Sequence, residues 1–372
     1  MAESDGERLV ELAPSEEWAE ALRAAPRHMF VPERAWTVQH GLIDRRGDPE
    51  TWWSVATGRD AIVTQIADGE VELTAENVAR NPHRYTSSCS APSLVVDMLR
   101  LLDPYPGDQV LEIGTGTGWT AGLLSAKLGA GNVTSIEVDE QVAAQAKAHL
   151  DQAGFDPRLI VGDGAVGDPE GAPFDRVHVT CGVVDIPYTW VEQTRPGGII
   201  VVPWSPSIGT TNLRTRLTVT GDAAIGRFHG DCAFMKLRSQ RETFTPIPGE
   251  VHERTSVVDP RRINAAGAAL WVSLAGLSPG LCTQGGTYNP VDGTFRIAVH
   301  DDVYESHAIA IQPPDGGGAE VEQRGPRKLW DELEAGYLSW VAWGEPGIDR
   351  FGLTVDAEAQ HIWLDSPANT IA

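Results

Sequence analysis

Residues 110–118 read Val110-Leu111-Glu112-Ile113-Gly114-Thr115-Gly116-Thr117-Gly118. A short apolar run enters a turn with glycine at every second place, and Trp119–Leu128 continues it with helical periodicity. Such a turn lets main chain approach a ligand where a Cβ would block it. It also aims the N–H groups at the head of the helix toward that ligand. The dinucleotide fingerprint G-x-G-x-x-G puts its third glycine one place later, where this chain has Trp119. The spacing therefore favours a cofactor with a carboxylate and no pyrophosphate, S-adenosylmethionine, over a nicotinamide dinucleotide.

Downstream, Val133–Val138 reads as a second strand and Glu140–Ala153 as a second helix. Leu159–Val161, Arg176–Cys181 and Ile199–Pro203 supply further strands. Alternating strands and helices predict an α/β fold, a Rossmann-like parallel sheet with helices on both faces. Glu137 ends the second strand, about 20 residues past the turn, where a carboxylate accepts both ribose hydroxyls. Asp163, in Val161-Gly162-Asp163-Gly164, ends the third and is placed to accept from an adenine amino group. All three features sit at carboxyl ends of strands, where ligands bind in open α/β sheets.

Upstream, Pro92–Leu102 reads as a helix preceded by Ser90-Ala91-Pro92, and Ser15–Ala25 as a helix capped by Ser15. Residues 41–86 show no sustained period and read as irregular. Beyond the parallel sheet, Thr215–Thr220 and Cys232–Leu237 look strand-like, and Pro246 and Pro248 mark a linker. Residues 250–372 read as a smaller α+β domain. Its elements are a helix over Arg261–Leu274, strands at Thr294–His300 and His307–Ile311, a helix from Leu329, and a closing hairpin of Phe351–Val355 with His361–Leu364.

These residues resemble the protein-L-isoaspartate (D-aspartate) O-methyltransferases. The matching pieces are Phe30-Val31-Pro32, Ser90-Ala91-Pro92, the glycine turn, Gly162-Asp163-Gly164 and Arg195-Pro196-Gly197-Gly198. Phe234-Met235-Lys236-Leu237 looks like the family's aromatic-x-Pro-Leu strand, with Lys in place of Pro. The resemblance implies a class I methyltransferase domain over residues 1–245, with S-adenosylmethionine held by Ser88, Gly114, Thr115, Gly116, Gly118, Glu137, Asp163 and Gly164. It implies Ser90 as the catalytic serine beside sulfonium and substrate carboxylate. A helix N-cap is the plainer role for Ser90, and the two readings are compatible. Two departures stand out, an insert over residues 66–86 and about 125 residues after the match. Such extended homologues look like those of biosynthetic clusters for ribosomally made peptides of the lanthipeptide, lasso or graspetide type. There the methyl ester of one aspartate in a cyclised precursor peptide closes to an aspartimide, and hydrolysis leaves isoaspartate. Repair of isoaspartate in damaged proteins is the alternative, and a silent peptide-binding partner a third.

The 372 residues carry a net charge of −23, which opposes binding to nucleic acid or anionic lipid. With 41% hydrophobic and 22% charged residues the chain is too apolar for disorder. Cys89, Cys181, Cys232 and Cys282 are scattered, so neither a metal site nor a disulfide framework is expected, and a cytoplasmic setting fits. The acidic Met1–Asp5 segment lacks the apolar core of a signal peptide. Cys89 has no basic neighbour to make it a nucleophile, and mid-strand His178 reads as a satisfied core histidine. Asn81-Pro82-His83-Arg84-Tyr85 only superficially matches the box of DNA amino-methyltransferases. Trp330, Trp340, Trp343 and Trp363 read as core before peptide-binding face. Residues 301–372 hold 14 acidic and 4 basic residues, a solvated surface or a face for a basic peptide.

Overall fold

The computed structural model describes residues 8–81, 84–241, 247 and 249–371. Met1–Asp5, Pro82, His83 and the linker prolines Pro246 and Pro248 lie outside the described residues.

The described residues of the N-terminal part form regular elements. Strands β1 (Arg34–Thr37), β2 (Gly41–Asp44), β3 (Ile62–Ile66) and β4 (Tyr85–Cys89) form an antiparallel sheet in the order β2-β1-β3-β4. Helices α1 (Glu16–Ala24), α2 (Pro49–Ala56) and α3 (Ala75–Arg80) accompany them. The irregular reading of 41–86 is thus overturned. Its elements run only four to eight residues, too short for a period to declare itself. Tertiary contacts hold them instead. Trp52 is fully buried with its indole N–H on the Pro32 carbonyl at 2.9 Å. Val63, Ile66 and Val78 close a small cluster of their own. Ser15 stands at the N-cap of α1, but its hydroxyl donates to Glu17 and caps no N–H.

The central sheet has nine strands. Its chain order is α4 (Pro92–Leu102), β5 (Val110–Ile113), α5 (Trp119–Leu128), β6 (Val133–Glu137), α6 (Glu140–Ala153), β7 (Arg158–Val161), β8 (Phe174–Val179), α7 (Tyr188–Glu192), β9 (Thr194–Trp204), β10 (Asn212–Val219) and β11 (Ala224–Cys232). The sheet order across β9-β8-β5-β6-β7 is parallel, and β10 and β11 add antiparallel strands beyond β9. Helix α5 is the expected one, residue for residue. Trp119, Leu123 and Leu124 are buried, each burial contributing about 1.5–3 kcal/mol. The strand expected at Cys232–Leu237 instead ends at Cys232, and β11 precedes it. Residues 233–237 run on outside the strand, held by the Phe234 N–H on Asn212 and by Gly182, which donates to the Met235 carbonyl and accepts from the Leu237 N–H. The polar character of Arg227, His229 and Asp231 hides β11 from a hydrophobicity reading, while Phe228 stacks on Trp204 at 5.2 Å.

The remaining elements are β12 (His252–Thr255), α8 (Pro260–Ala265), α9 (Gly267–Leu277), β13 (Leu281–Tyr288), β14 (Phe295–Asp301), β15 (His307–Gln312), β16 (Glu320–Arg324), α10 (Leu329–Ala342), β17 (Phe351–Val355) and β18 (Gln360–Leu364). Strands β12-β16-β15-β14-β13 form an antiparallel sheet under α8, α9 and α10. The helix expected over Arg261–Leu274 is broken at Gly267, whose φ of 65° is left-handed. The closing hairpin does not belong to this unit as expected. Strand β17 pairs with β11 and extends the central sheet. Without it β11 would be a bare edge, and by docking there β17 buries its own Phe351, Leu353 and Val355. One apolar cluster runs from Leu111 and Ile113 through Leu270 and Trp330 to Ile371. Trp330, Trp340 and Trp363 are buried in the fold, while Trp343 is only partly covered.

Candidate active site

A cleft of about 1370 Å³ opens at the carboxyl ends of the parallel strands. Its walls include Ser88, Ser90, Gly114, Thr115, Gly116, Glu137 and Gly164. Seven of the nine expected site residues therefore meet in one place. Gly118 and Asp163 are not among the lining residues. Gly118 lies against α6, where a Cβ would come 3.3 Å from the Ala146 carbonyl and the Leu150 side chain, so its task is helix packing. Asp163 is exposed, and its carboxylate accepts from the Ala165 N–H at 2.9 Å.

The glycine turn is shaped by close approach. Gly114, with φ of 93°, leaves no room for a Cβ, which would lie 2.5 Å from Thr180 Oγ1. That hydroxyl donates to the Gly114 carbonyl at 2.5 Å and the Ile113 carbonyl at 3.0 Å, pinning the turn. Thr115 contributes main chain to the cleft, because its hydroxyl turns inward to Ser135 Oγ at 2.7 Å. Ser135 in turn donates to buried Glu112 at 2.6 Å. His178 stands 3.9 Å from that carboxylate, and neither ring nitrogen has a hydrogen-bond partner among the described residues. It is a core histidine, but not the satisfied one expected.

Glu137 is the main carboxylate on this wall. It accepts from the Gly116 N–H at 2.9 Å and the Asp139 N–H at 3.1 Å, one donor per oxygen. Burial raises its pKa above the ordinary 4.5 in spite of these donors. Each oxygen keeps a second lone pair, which suits a ribose diol. A glycine-rich turn beside a carboxylate with lone pairs to spare fits an adenosyl cofactor.

Ser90 lies on the same cleft between β4 and α4. The helix N-cap is Ala91, with Pro92 following, so capping is not the task of Ser90. Its hydroxyl has no hydrogen-bond partner among the described residues. Its main chain is held by Arg27, a residue the sequence did not single out. The Arg27 side chain is buried and donates to the carbonyls of Gly58 at 3.2 Å, Asp60 at 2.7 Å, Cys89 at 3.0 Å and Ser90 at 3.0 Å. An arginine directly after Pro26 and before Phe30-Val31-Pro32 was the available signal.

An ion network also escaped the sequence. Arg238 reaches Asp68 at 3.0 Å and Asp139 at 3.1 Å, and Arg241 reaches Asp68 at 2.6 Å. Gln65 joins Asp139 at 3.2 Å. Burial alone would raise Asp139, but the Val142 N–H and Arg238 hold it below its ordinary value. Such half-exposed pairs contribute about 1 kcal/mol or less each. Their effect is placement, tying β3, α6 and the segment after β11 around the cleft. Burial pushes the Cys181 thiol up to about 12, with the charges of Glu137 and Asp163 adding to it, so the thiol stays protonated.

The far wall comes from the C-terminal unit. Thr283, Gln284, His300 and Tyr304 line the same cleft as Ser90.

The family model for protein-L-isoaspartate(D-aspartate) O-methyltransferase matches residues 70–241. That match begins within the segment read as an insert. A protein-L-isoaspartate O-methyltransferase of Methanopyrus kandleri is 33% identical over 255 residues, covering 64% of this chain and 95% of that protein. Protein-L-isoaspartate O-methyltransferase 2 of Archaeoglobus fulgidus is 34% identical over 200 residues, covering 53% of this chain and 75% of its own. A solved structure of a protein-L-isoaspartate O-methyltransferase superposes with a TM-score of 0.57 at 21% identity, over 98% of this chain and 100% of that one. The fold likeness therefore includes the C-terminal unit.

Proposed function

The chain belongs to the protein-L-isoaspartate(D-aspartate) O-methyltransferase family, and from that premise we propose that it methylates an aspartyl or isoaspartyl carboxylate held beside Ser90. The observation that carries this reading is Ser90 itself. Its hydroxyl has no capping task, its main chain is fixed by Arg27, and it shares a cleft with the glycine turn and Glu137.

When bound, S-adenosylmethionine supplies an electrophilic methyl group on a sulfonium. Glu137 would accept the ribose hydroxyls, and the Gly114–Gly116 main chain with Gly164 would form the floor beneath the cofactor. Ser88 and Asp163 complete the proposed cofactor set, Ser88 from the cleft wall and Asp163 from its margin. A carboxylate is already nucleophilic, so the protein's contribution is position. The Ser90 hydroxyl donates to one carboxylate oxygen and leaves the other aimed at the methyl carbon. The oxygen–methyl bond forms as the sulfur–methyl bond breaks, the positive charge on sulfur is neutralised, and no base is required.

The finer reading concerns the acceptor. We take it to be an aspartate of a ribosomally made, cyclised peptide, handled in the cytoplasm. The next residue's amide nitrogen then attacks the ester carbonyl, methoxide leaves with that nitrogen's proton as methanol, and an aspartimide results. A cleft walled partly by the C-terminal unit supports selection of one shaped substrate. The names of the archaeal relatives favour the second reading, repair of isoaspartate in damaged proteins.

Mass spectrometry separates the two. The protein is incubated with S-adenosylmethionine and either a cyclised Asp-containing peptide encoded beside its gene or a generic isoaspartyl peptide. Gain of about 14 Da, then net loss of about 18 Da, on the cyclised peptide alone is the expected result. Turnover only on the generic peptide makes the protein a repair enzyme. Ser90→Ala should lower the rate at least ~100-fold, as misplacement of a reacting group does, with cofactor affinity nearly unchanged. Wild-type turnover in that variant removes Ser90 from the mechanism.

A further inference from the structure

Strand β13 is the outer strand of the C-terminal sheet and pairs with β14 on its inner side. An outer strand presents N–H and C=O groups that have no partner in the ladder. The start of this one is covered. Leu281, Cys282 and Thr283 are buried, and the Thr283 N–H donates to the Ile208 carbonyl at 3.0 Å. Gly209 permits that approach, since a Cβ there would lie 1.6 Å from the Thr283 carbonyl oxygen. A short run of main chain therefore already lies along this edge. Ile208, Gly209, Thr283 and Gln284 all line the cleft that holds Ser90.

From Gln284 onward the cover ends. Gln284, Gly286, Thr287 and Tyr288 are exposed. A bulge between Thr283 and Gly286 bends the strand as it leaves the cleft. Outer strands are commonly guarded by charge, which keeps other chains from pairing with them. Here β2 carries Asp44, β7 carries Arg158, and β12 carries Glu253 and Arg254. The last strand, β18, is met at Trp363 by Thr370. The two outer strands that line the cleft, β4 and β13, hold no charged residue. In a chain of net charge −23, the unguarded edges are the ones at the cleft.

We propose that residues 284–288 of β13 take up the peptide segment flanking the target carboxylate as an added strand. This rests on the methyl-transfer reading of the cleft. Continuity identifies the occupant. The edge begins on the cleft wall and runs outward, so the chain that lies on it is the chain whose carboxylate stands at Ser90. Five residues of strand span about 17 Å, which holds a flank and leaves the target in the cleft. Main-chain hydrogen bonds supply the affinity, and the flanking side chains are not read. The pairing continues along β13 what Ile208 begins at Thr283.

The test uses the full chain saturated with S-adenosylhomocysteine. The probe is a fluorescein-labelled tridecapeptide of Ala and Ser with one central isoaspartate. Hydrogen exchange read by mass spectrometry should show amides in residues 284–288 slowed at least tenfold by saturating probe, with the β12 edge unchanged. A second series carries one N-methylated amide per probe, which deletes one donor from the peptide and leaves the protein untouched. By anisotropy, N-methylation should weaken binding about fivefold at every second flanking residue, the period of a strand, and little at the residues between. Failure of the probe to bind, unchanged exchange at 284–288, or N-methyl effects without a period of two overturns the proposal. Replacing S-adenosylhomocysteine by S-adenosylmethionine separates the two readings. A probe that protects 284–288 but is never methylated sinks the reading of the reaction and leaves the edge in its role, and a probe methylated without protection does the reverse.

Discussion

The two walls of the cleft are built by different means. The proposed cofactor wall is mostly main chain with one carboxylate, supplied by Gly114, Thr115, Gly116, Glu137 and Gly164 at the ends of neighbouring parallel strands. The proposed acceptor wall holds Ser90 before α4, on a cleft that His300 and Tyr304 also line from more than 200 residues further along the chain. On that proposal the first wall would recognise a constant ligand with atoms that mutation cannot easily remove, and the second would meet a varying substrate with groups that substitution can retune. Affinity for cofactor and choice of acceptor are thus separable in principle, although both walls rest on one continuous core.

That shared core offers the most severe way to break the comparison. Ending the chain after residue 249 removes β17 from β11 and uncovers the cluster that joins Leu213 and Leu217 to Leu270, Trp330 and Leu353. We expect no cooperative thermal transition and no cofactor binding by the shortened chain. A soluble fragment with full cofactor affinity would show that the walls belong to independent units.

Arg27→Ala is the next largest. Four carbonyls lose a charged donor in a buried setting, and the loss should reach about 3 kcal/mol or more. Chemical denaturation measures this. In protein that stays folded at low temperature, turnover should fall further than cofactor affinity, because Arg27 holds the acceptor wall. Equal losses in both would mean that the walls are mechanically one.

The smallest effect sharpens the cofactor wall alone. The folded pKa of Glu137 is raised by burial, so ionised Glu137 costs stability, and the stability present below 4.5 is lost as pH rises through the raised value. Ribose hydroxyls donate to the ionised form and draw the pKa down. Cofactor affinity should therefore decline as pH falls toward 4.5, beginning above the range of an ordinary glutamate. Calorimetric titration across this range should show protons released on binding, with Glu137→Gln flattening the dependence. An unchanged slope in Glu137→Gln would place the titrating group elsewhere.

Sequence alone carried the first wall because its information is local. A strand, a glycine turn and a helix lie within twenty residues, and the carboxylate follows at the end of the next strand, so spacing translates directly into geometry. The same holds for α5 and α6, whose limits were legible to the residue. Ser90 was legible as a motif, and only the structure shows that the helix N-cap is Ala91 and not Ser90.

The remainder was decided by tertiary structure. The short elements of residues 41–86 have too few residues to show a period and persist through burial of Trp52 and Ile66. Strand β11 is polar in sequence and stable because it lies between β10 and β17. The closing hairpin chose the central sheet over its sequence neighbours because an open edge and an apolar face awaited it there. Arg27 bonds carbonyls 31 to 63 residues away, and no spacing rule connects it to Ser90. A sequence records which groups can bind a cofactor wherever neighbours along the chain are neighbours in space. Which groups stand opposite them depends on how distant segments share one core, and only packing determines that.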